Sequence, residues 1–275
     1  MLDGVSRRDV LILPGISLVA AALHGIPVRS ARADEGAKAG PGLWPEFPRQ
    51  DPKLVQAIVG AAHVDEKKVR ELADAHPALV NAWWDWGYGD WESPLGAASH
   101  VGRRSIAEFL IERGARMDIF AAAMLGHTDI VKSFIAARPG IQKTYGPHNI
   151  PLLAHAQAGG SEASGTLAYL EGLGDAGQLP QTVALSAQER EAFVGHYKFG
   201  PADGDRLEVT INKREQLSIL RPEFSAKPLN YVGDNQFFPK GAPAVRIRFD
   251  VRDGKAVSFT VIDKDPLIEA MRVAG

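Results

Sequence analysis

Eight histidines and the absence of cysteine limit the chemistry open to this 275-residue chain. Without cysteine there is no thiolate nucleophile, thiolate metal site or disulfide. The histidines form no His-Glu-x-x-His pair, and no Ser-x-x-Lys sequence occurs. We therefore expect no catalytic residue, no metal site and no cofactor, and we interpret His100, His127 and His155 as structural.

Three short motifs resemble sites but lack the context that such sites require. Gly172–Gly177 has the spacing of a dinucleotide loop, yet a helix instead of a strand is predicted before it. Gly159–Ala163 has no strand before it either, as a nucleophile elbow would need. Asp203-Gly204-Asp205 offers too few oxygens for calcium and is typical of a turn.

A pattern of helix pairs recurs along the first half of the chain. Ser93-Pro94-Leu95 predicts a capped turn into a helix. The pattern of residue types from Ala98 to Ala115 recurs 24 residues later. A third copy begins at Ile150-Pro151-Leu152, and residues 53–81 have the apolar spacing of a capping unit. This pattern resembles the ankyrin repeat over residues 52–177. The resemblance implies a stack of helix pairs whose curved face binds another protein.

An aromatic segment stands where an ankyrin finger loop is expected, and it contains four of the five tryptophans. Tryptophan and tyrosine dominate binding hot spots, so an exposed finger is expected to contact the partner. The alternative is that the finger packs its own indoles over the capping unit. The residues expected at the partner surface are Trp83, Trp84, Trp86, Tyr88, Trp91, His100, Val101, Phe120, Met124 and Gln157.

The N-terminus has the three parts of an export signal. Ser6-Arg7-Arg8-Asp9 resembles the twin-arginine motif, an apolar run follows, and Ala31-Arg32-Ala33 predicts cleavage after Ala33. The apolar run is short and contains Pro14 and His24, so we expect no stable membrane span. These features predict a signal peptide over residues 1–33, a Gly/Pro-rich linker over 34–51 and a periplasmic or secreted protein.

Hydrophobic periodicity changes from helical to alternating after a linker at residues 178–184. Val245 to Val261 alternates about Asp253-Gly254, and a second hairpin spans Leu207 to Ile219. Six or seven short strands over residues 185–275 predict a small antiparallel barrel or sandwich, with a final helical turn near Asp265-Pro266.

The strand order and the terminal Arg272 make this part similar to the lipocalin-like β domain appended to secreted serine hydrolases of the β-lactamase type. The resemblance implies an accessory domain without a catalytic residue. One alternative is a small-ligand or glycan site lined by Tyr197, Tyr231 and Phe237. Another is that the chain is an accessory or subunit of a secreted hydrolase.

Together these observations predict a multidomain α and all-β protein, in which an ankyrin helical repeat stack precedes the small antiparallel β domain. Its net charge of −2, without a long basic run, argues against nucleic acid as a partner. We expect an exported, non-enzymatic scaffold that binds another protein.

Overall fold

A computed structural model describes residues 45–274 of the protein. The helical part of these residues consists of helix pairs, and the two helices of each pair are in contact. The proposed signal peptide, with Arg7, Arg8 and Ala33, lies outside the described residues. The paired helices are α1 (Pro52–Ala61), α2 (Glu66–Ala75), α3 (Pro94–His100), α4 (Arg104–Glu112), α5 (Ile119–Met124), α6 (Thr128–Ala137), α7 (Leu152–Ala158) and α8 (Ser164–Leu173).

Side-chain caps fix where several of these helices begin. The carboxylates of Asp51, Asp65 and Asp118 accept backbone N–H groups in the first turns of α1, α2 and α5. Ser93 does the same for α3, where Pro94 occupies the first helical position. Each cap satisfies a donor that the helix itself leaves unpaired, so the turns between helices are encoded locally.

The first helices of the pairs pack in the order α1, α3, α5, α7, but α7 also contacts α3. Glycines permit this approach: a Cβ on Gly102 would collide with the Ala158 carbonyl, and one on Gly159 would collide with the Met124 carbonyl. A linear repeat array has contacts between immediate neighbours alone. The last helix pair therefore packs across both preceding pairs.

A two-stranded hairpin, β1 (Trp84–Asp85) and β2 (Trp91–Glu92), separates α2 from α3. Trp84 pairs with Glu92 and Asp85 pairs with Trp91, so alternate side chains point to opposite faces. Trp84 and Trp86 pack against the helical core, and Tyr88 packs against the core of the barrel. We call residues 83–92 the finger hairpin, and it contacts both hydrophobic cores.

The second half of the chain is a closed antiparallel barrel, so a barrel and not a sandwich follows the helices. A short helix, α9 (Ala187–Glu191), precedes it. Its strands are β3 (Gly195–Lys198), β4 (Arg206–Ile211), β5 (Leu217–Leu220), β6 (Lys227–Gly233), β7 (Gln236–Pro239), β8 (Arg246–Arg252), β9 (Lys255–Asp263) and β10 (Asp265–Val273). Both predicted hairpins are confirmed: Val209 pairs with Ile219, and Phe249 pairs with Phe259.

The prediction of a final helical turn at Asp265-Pro266 was wrong, as was the count of six or seven strands. These residues begin β10, which pairs with β9 and with β3 and so closes the eight-stranded barrel. A register shift between Pro266 and Ile268 accommodates the proline. Proline lacks a backbone donor and is tolerated in a strand at such an irregularity.

Aromatic rings fill the barrel interior. Tyr197, Phe237 and Phe259 are fully buried, and the ring of Phe237 lies 4.9 Å from Phe193 and from Tyr231. Two of the residues predicted to line a ligand mouth, Tyr197 and Phe237, thus belong to the packed core, whereas Tyr231 is half-buried. Burial raises the pKa of Tyr197 to about 12.

Arg272 closes one end of this core. Its guanidinium donates to the carbonyls of Val194 and Ala192 at 2.7 and 3.1 Å, to the Ala256 carbonyl, and to the Tyr197 hydroxyl at 2.9 Å. It also lies 5.1 Å from the centre of the Tyr197 ring. One cation from β10 thereby connects β9, β3 and the turn after α9.

We expect Arg272→Met to lower the free energy of unfolding by about 2–4 kcal/mol, because several carbonyls lose a charged donor at once. Urea denaturation followed by circular dichroism measures the change. The control is Arg252→Met, since Arg252 is an exposed arginine paired with Asp250, and it should cost less than about 1 kcal/mol. Equal losses for the two variants would contradict the assigned role.

None of the helices in residues 45–274 combines the length and the apolar character needed to cross a bilayer.

Candidate metal centre

Three imidazoles and one carboxylate converge beside the finger hairpin. Ligand-type atoms of His63, Glu92, His100 and His148 all lie within 4.8 Å of one another. His63 is in the turn between α1 and α2, Glu92 ends β2, and His100 ends α3. His148 belongs to a short 3-10 turn, Pro147–Asn149, before α7. Four separate segments therefore build one cluster.

Four of the distances between these atoms are close to the edges of a tetrahedral metal coordination sphere. His100 Nε2 lies 3.1 Å from His63 Nε2 and 3.0 Å from Glu92 Oε1. Glu92 Oε2 lies 3.5 Å from His63 Nε2, and Glu92 Oε1 lies 3.4 Å from His148 Nε2. In a tetrahedral zinc site with Zn–N of about 2.0–2.1 Å, neighbouring ligand atoms are about 3.3 Å apart.

Hydrogen bonds on the far side of two imidazoles decide which nitrogen faces the cluster. His63 Nδ1 lies 3.2 Å from the carbonyls of Val59 and Gly60, and these can only accept. His148 Nδ1 lies 2.8 Å from Asp90 Oδ2. In both rings Nδ1 therefore carries a hydrogen, so in the neutral imidazole the lone pair of Nε2 points into the cluster. Such outer partners are typical of metal-binding histidines.

A hydrogen bond on its outer side also orients the Glu92 carboxylate. Its side chain is fully buried, and Oε2 accepts a 2.7 Å hydrogen bond from the Trp86 indole. Oε1 has no hydrogen-bond partner among residues 45–274, although two imidazole nitrogens lie close to it. A buried carboxylate oxygen without a donor is costly, and a cation placed between these atoms would remove that cost.

The electrostatics of the cluster favour an ionised Glu92 beside a protonated His148. Burial opposes ionisation of Glu92, but the contacts with His100 and His148 outweigh burial and lower the pKa of Glu92 to about 2. Burial likewise disfavours the charged form of His148, yet Asp90 and Glu92 raise the pKa of His148 to about 9. Both shifts stabilise opposite charges held close together in a site of low polarity. A metal ion that binds here would displace the proton from His148 Nε2.

His148 is held in a strained backbone conformation. Its φ is +60°, and that of Asn149 is +59°, in the left-handed region that few residues other than glycine adopt. The Asp90 carboxylate accepts the backbone N–H of His148 at 2.9 Å in addition to its ring N–H. Strain of this kind is retained where it orients a functional group.

Asp90 also connects the cluster to the barrel. The Lys227 ammonium, at the start of β6, donates to Asp90 Oδ2 at 2.5 Å, and both side chains are at least nine-tenths buried. Gly241 lies so close that an added Cβ would collide with the same carboxylate. Burial alone would raise the pKa of Asp90, but the hydrogen bonds from His148 and Lys227 lower it instead. Asp90 is thus a charged bridge between the helices and the barrel.

The cluster opens into a cavity of about 410 Å³ at the junction of helices and barrel. The three histidines of the cluster and Trp86 form the wall on the helical side. The wall on the other side comes from Ile150 and from the barrel residues Ser225, Ala226, Lys227, Pro228 and Lys240. Cavities of this size hold small molecules in other proteins.

No protein-family model matches the sequence, and no curated protein is significantly similar to it.

The residues predicted for partner binding are distributed over several environments. Of the finger hairpin residues, Trp83 and Trp91 are 53 % and 55 % exposed, and both line a hollow of about 210 Å³ together with Phe120. Trp84, Trp86 and Tyr88 pack inward. Val101 and Gln157 are exposed, and Met124 is fully buried.

His100 is the one predicted residue that joins the cluster, although the sequence favoured a structural role for it. His127 is exposed, and His155 is buried against Phe120 with Nε2 unpartnered in the described part of the chain. Burial lowers the pKa of His155 to about 4. His63, Glu92 and His148 were missed because no local spacing relates them. No signal in the sequence relates these residues, because they meet only through tertiary packing.

We expect Asp90→Ala to lower the free energy of unfolding by about 3–5 kcal/mol, because Lys227 would remain buried without an anion. The double variant Asp90→Ala/Lys227→Met should recover part of that loss, since it also removes the charge. Urea denaturation of the metal-free chain measures both changes. Asp203→Ala, at an exposed turn, is the control and should change stability by less than about 0.5 kcal/mol. A double variant less stable than Asp90→Ala would contradict this account.

Proposed function

We propose that this protein binds a divalent transition-metal ion, zinc foremost, through His63, Glu92, His100 and His148. One observation carries the proposal: ligand-type atoms of the four side chains lie within 4.8 Å of one another, while hydrogen bonds at Nδ1 orient His63 and His148. Binding, without an assigned reaction, is the function that this geometry supports.

The ligand types favour zinc over calcium or magnesium. Calcium and magnesium take oxygen ligands, whereas neutral imidazole is suited to zinc, copper, iron and nickel. Zinc accepts both imidazole nitrogen and carboxylate oxygen as ligands, and four such ligands complete a tetrahedral site. The alternative is a cluster held by hydrogen bonds alone. In that alternative a protonated His148 would face Glu92 Oε1 with Nε2 at 3.4 Å, which is longer than an ordinary N–H···O hydrogen bond.

Zinc titration by isothermal calorimetry tests the proposal. We expect one zinc per chain, and a stabilisation of about 2.7 kcal/mol at a free zinc concentration of 100 Kd. His100→Gln and Glu92→Gln should each weaken binding by more than tenfold, because each removes a ligand. His127→Gln is the matched control, since this exposed histidine lies outside the cluster.

Circular dichroism of each variant without zinc confirms that it is folded. An absence of zinc binding by the unaltered chain would overturn the proposal. So would binding that His100→Gln and Glu92→Gln leave unchanged.

A second candidate function is an exported scaffold of ankyrin-type repeats that binds another protein. The helix pairs and the two exposed indoles, Trp83 and Trp91, favour it. Export by the twin-arginine route remains a proposal from Arg7 and Arg8. A route that carries folded proteins, as the resemblance implies, is compatible with a site that only the folded chain can form.

For this candidate we expect Trp83→Ala/Trp91→Ala to weaken binding to a partner purified from envelope extract by about 30-fold, the loss of about 2 kcal/mol typical of a hot spot. Surface plasmon resonance with the purified partner measures the change. Phe224→Ala is the control, because Phe224 is a 64 % exposed aromatic residue outside the finger hairpin. Unchanged affinity of the tryptophan variant would exclude these indoles as the binding surface.

A further inference from the structure

The cavity beside the cluster has the chemistry of a site for a small anion. We propose, resting on the proposed metal binding, that it takes a small organic oxyanion whose carboxylate lies at the positively charged end of the cavity, near the metal, Lys227 and Lys240, and whose apolar body packs between helices and barrel.

Positive charge on the cavity wall is the first argument. Lys227 has three N–H donors, and in the described part of the chain Asp90 is the acceptor of one of them. Its side chain is 10 % exposed and lines the cavity, so the remaining donors are available to a ligand there. Lys240 lies on the same wall, and no carboxylate among residues 45–274 is within ion-pair distance of it. Charge-assisted hydrogen bonds to a carboxylate are the strong interactions of such donors.

The acidic groups of the site do not neutralise this charge. Asp90 is enclosed by His148, Lys227 and Gly241, and Glu92 is enclosed by the imidazoles and Trp86. With a divalent ion bound, the positive charge of the ion and the two lysines exceeds the negative charge of these carboxylates. A site of this sign selects an anion over a neutral or cationic molecule.

The rest of the wall determines the kind of anion. Trp86, Ile150, Ala226 and Pro228 contribute apolar surface, and about 410 Å³ is more than a bare inorganic ion needs. A mostly apolar wall with a few polar groups at one end is typical of sites for small organic molecules. The anion is therefore expected to carry an apolar substituent of about the size of an aromatic ring.

Calorimetric titration with benzoate tests the proposal on the full chain, with benzamide as the neutral probe of the same shape. We expect the zinc-loaded chain to bind benzoate at least about tenfold more tightly than the zinc-free chain does. We also expect the zinc-loaded chain to bind benzoate at least about tenfold more tightly than benzamide. Lys240→Gln should weaken benzoate binding roughly two- to fivefold, as expected for an exposed ion pair. Lys132→Gln, on α6 and outside the cavity, should leave the affinity unchanged.

The possible failures are distinguishable. If zinc titration alone shows no binding, the metal proposal fails before benzoate is added, and the anion proposal fails with it. If zinc binds but benzoate does not, only the anion proposal is overturned. Equal binding of benzoate and benzamide would also overturn it, as would equal affinity for the zinc-loaded and zinc-free chain.

Discussion

The buried carboxylate of Asp90 fixes the relation between three parts of the chain. It accepts two N–H groups of His148 and the ammonium of Lys227, and Gly241 closes the remaining side. A buried charge is tolerated only with its partners in place. The finger hairpin, the turn before α7 and the start of β6 therefore hold their positions together. His148 depends on the barrel for its orientation although the barrel contributes none of the four clustered side chains.

This arrangement gives the barrel a role in the site. Its residues form one wall of the cavity and bring two lysines to it, while the helical part supplies the histidines and Glu92. Neither half of the chain contains the whole site. The finger hairpin joins the halves, because Trp84 and Trp86 pack on the helical core and Tyr88 packs on the barrel core.

Features encoded by local interactions could be predicted from the sequence. Alternation about Asp253-Gly254 predicted the hairpin of β8 and β9, and the cap at Ser93 fixed the start of α3. Strand β10 was missed because its pairing with β3 is distant in sequence and Pro266 is unusual in a strand. The two faces of the finger hairpin follow from alternation, which places Trp83 and Trp91 opposite Trp84 and Trp86.

The clustered side chains could not be predicted, because His63, Glu92, His100 and His148 meet only through tertiary packing. His63 is placed by the turn after α1 and His148 by a left-handed turn before α7. Neither position has a sequence signature that distinguishes a clustered histidine from an ordinary surface histidine. Propensity and periodicity describe elements, whereas this cluster is a property of how the elements dock.

The contact of α7 with both α3 and α5 has a consequence for how this chain can diverge. A linear array gains or loses units by duplication or deletion, because each unit contacts only the next. Here an inserted pair would separate backbones that touch at Gly102 and Gly159. It would also move His148 away from His63 and His100. An arrangement of this kind is therefore expected to tolerate the gain or loss of a helix pair less readily than a linear array.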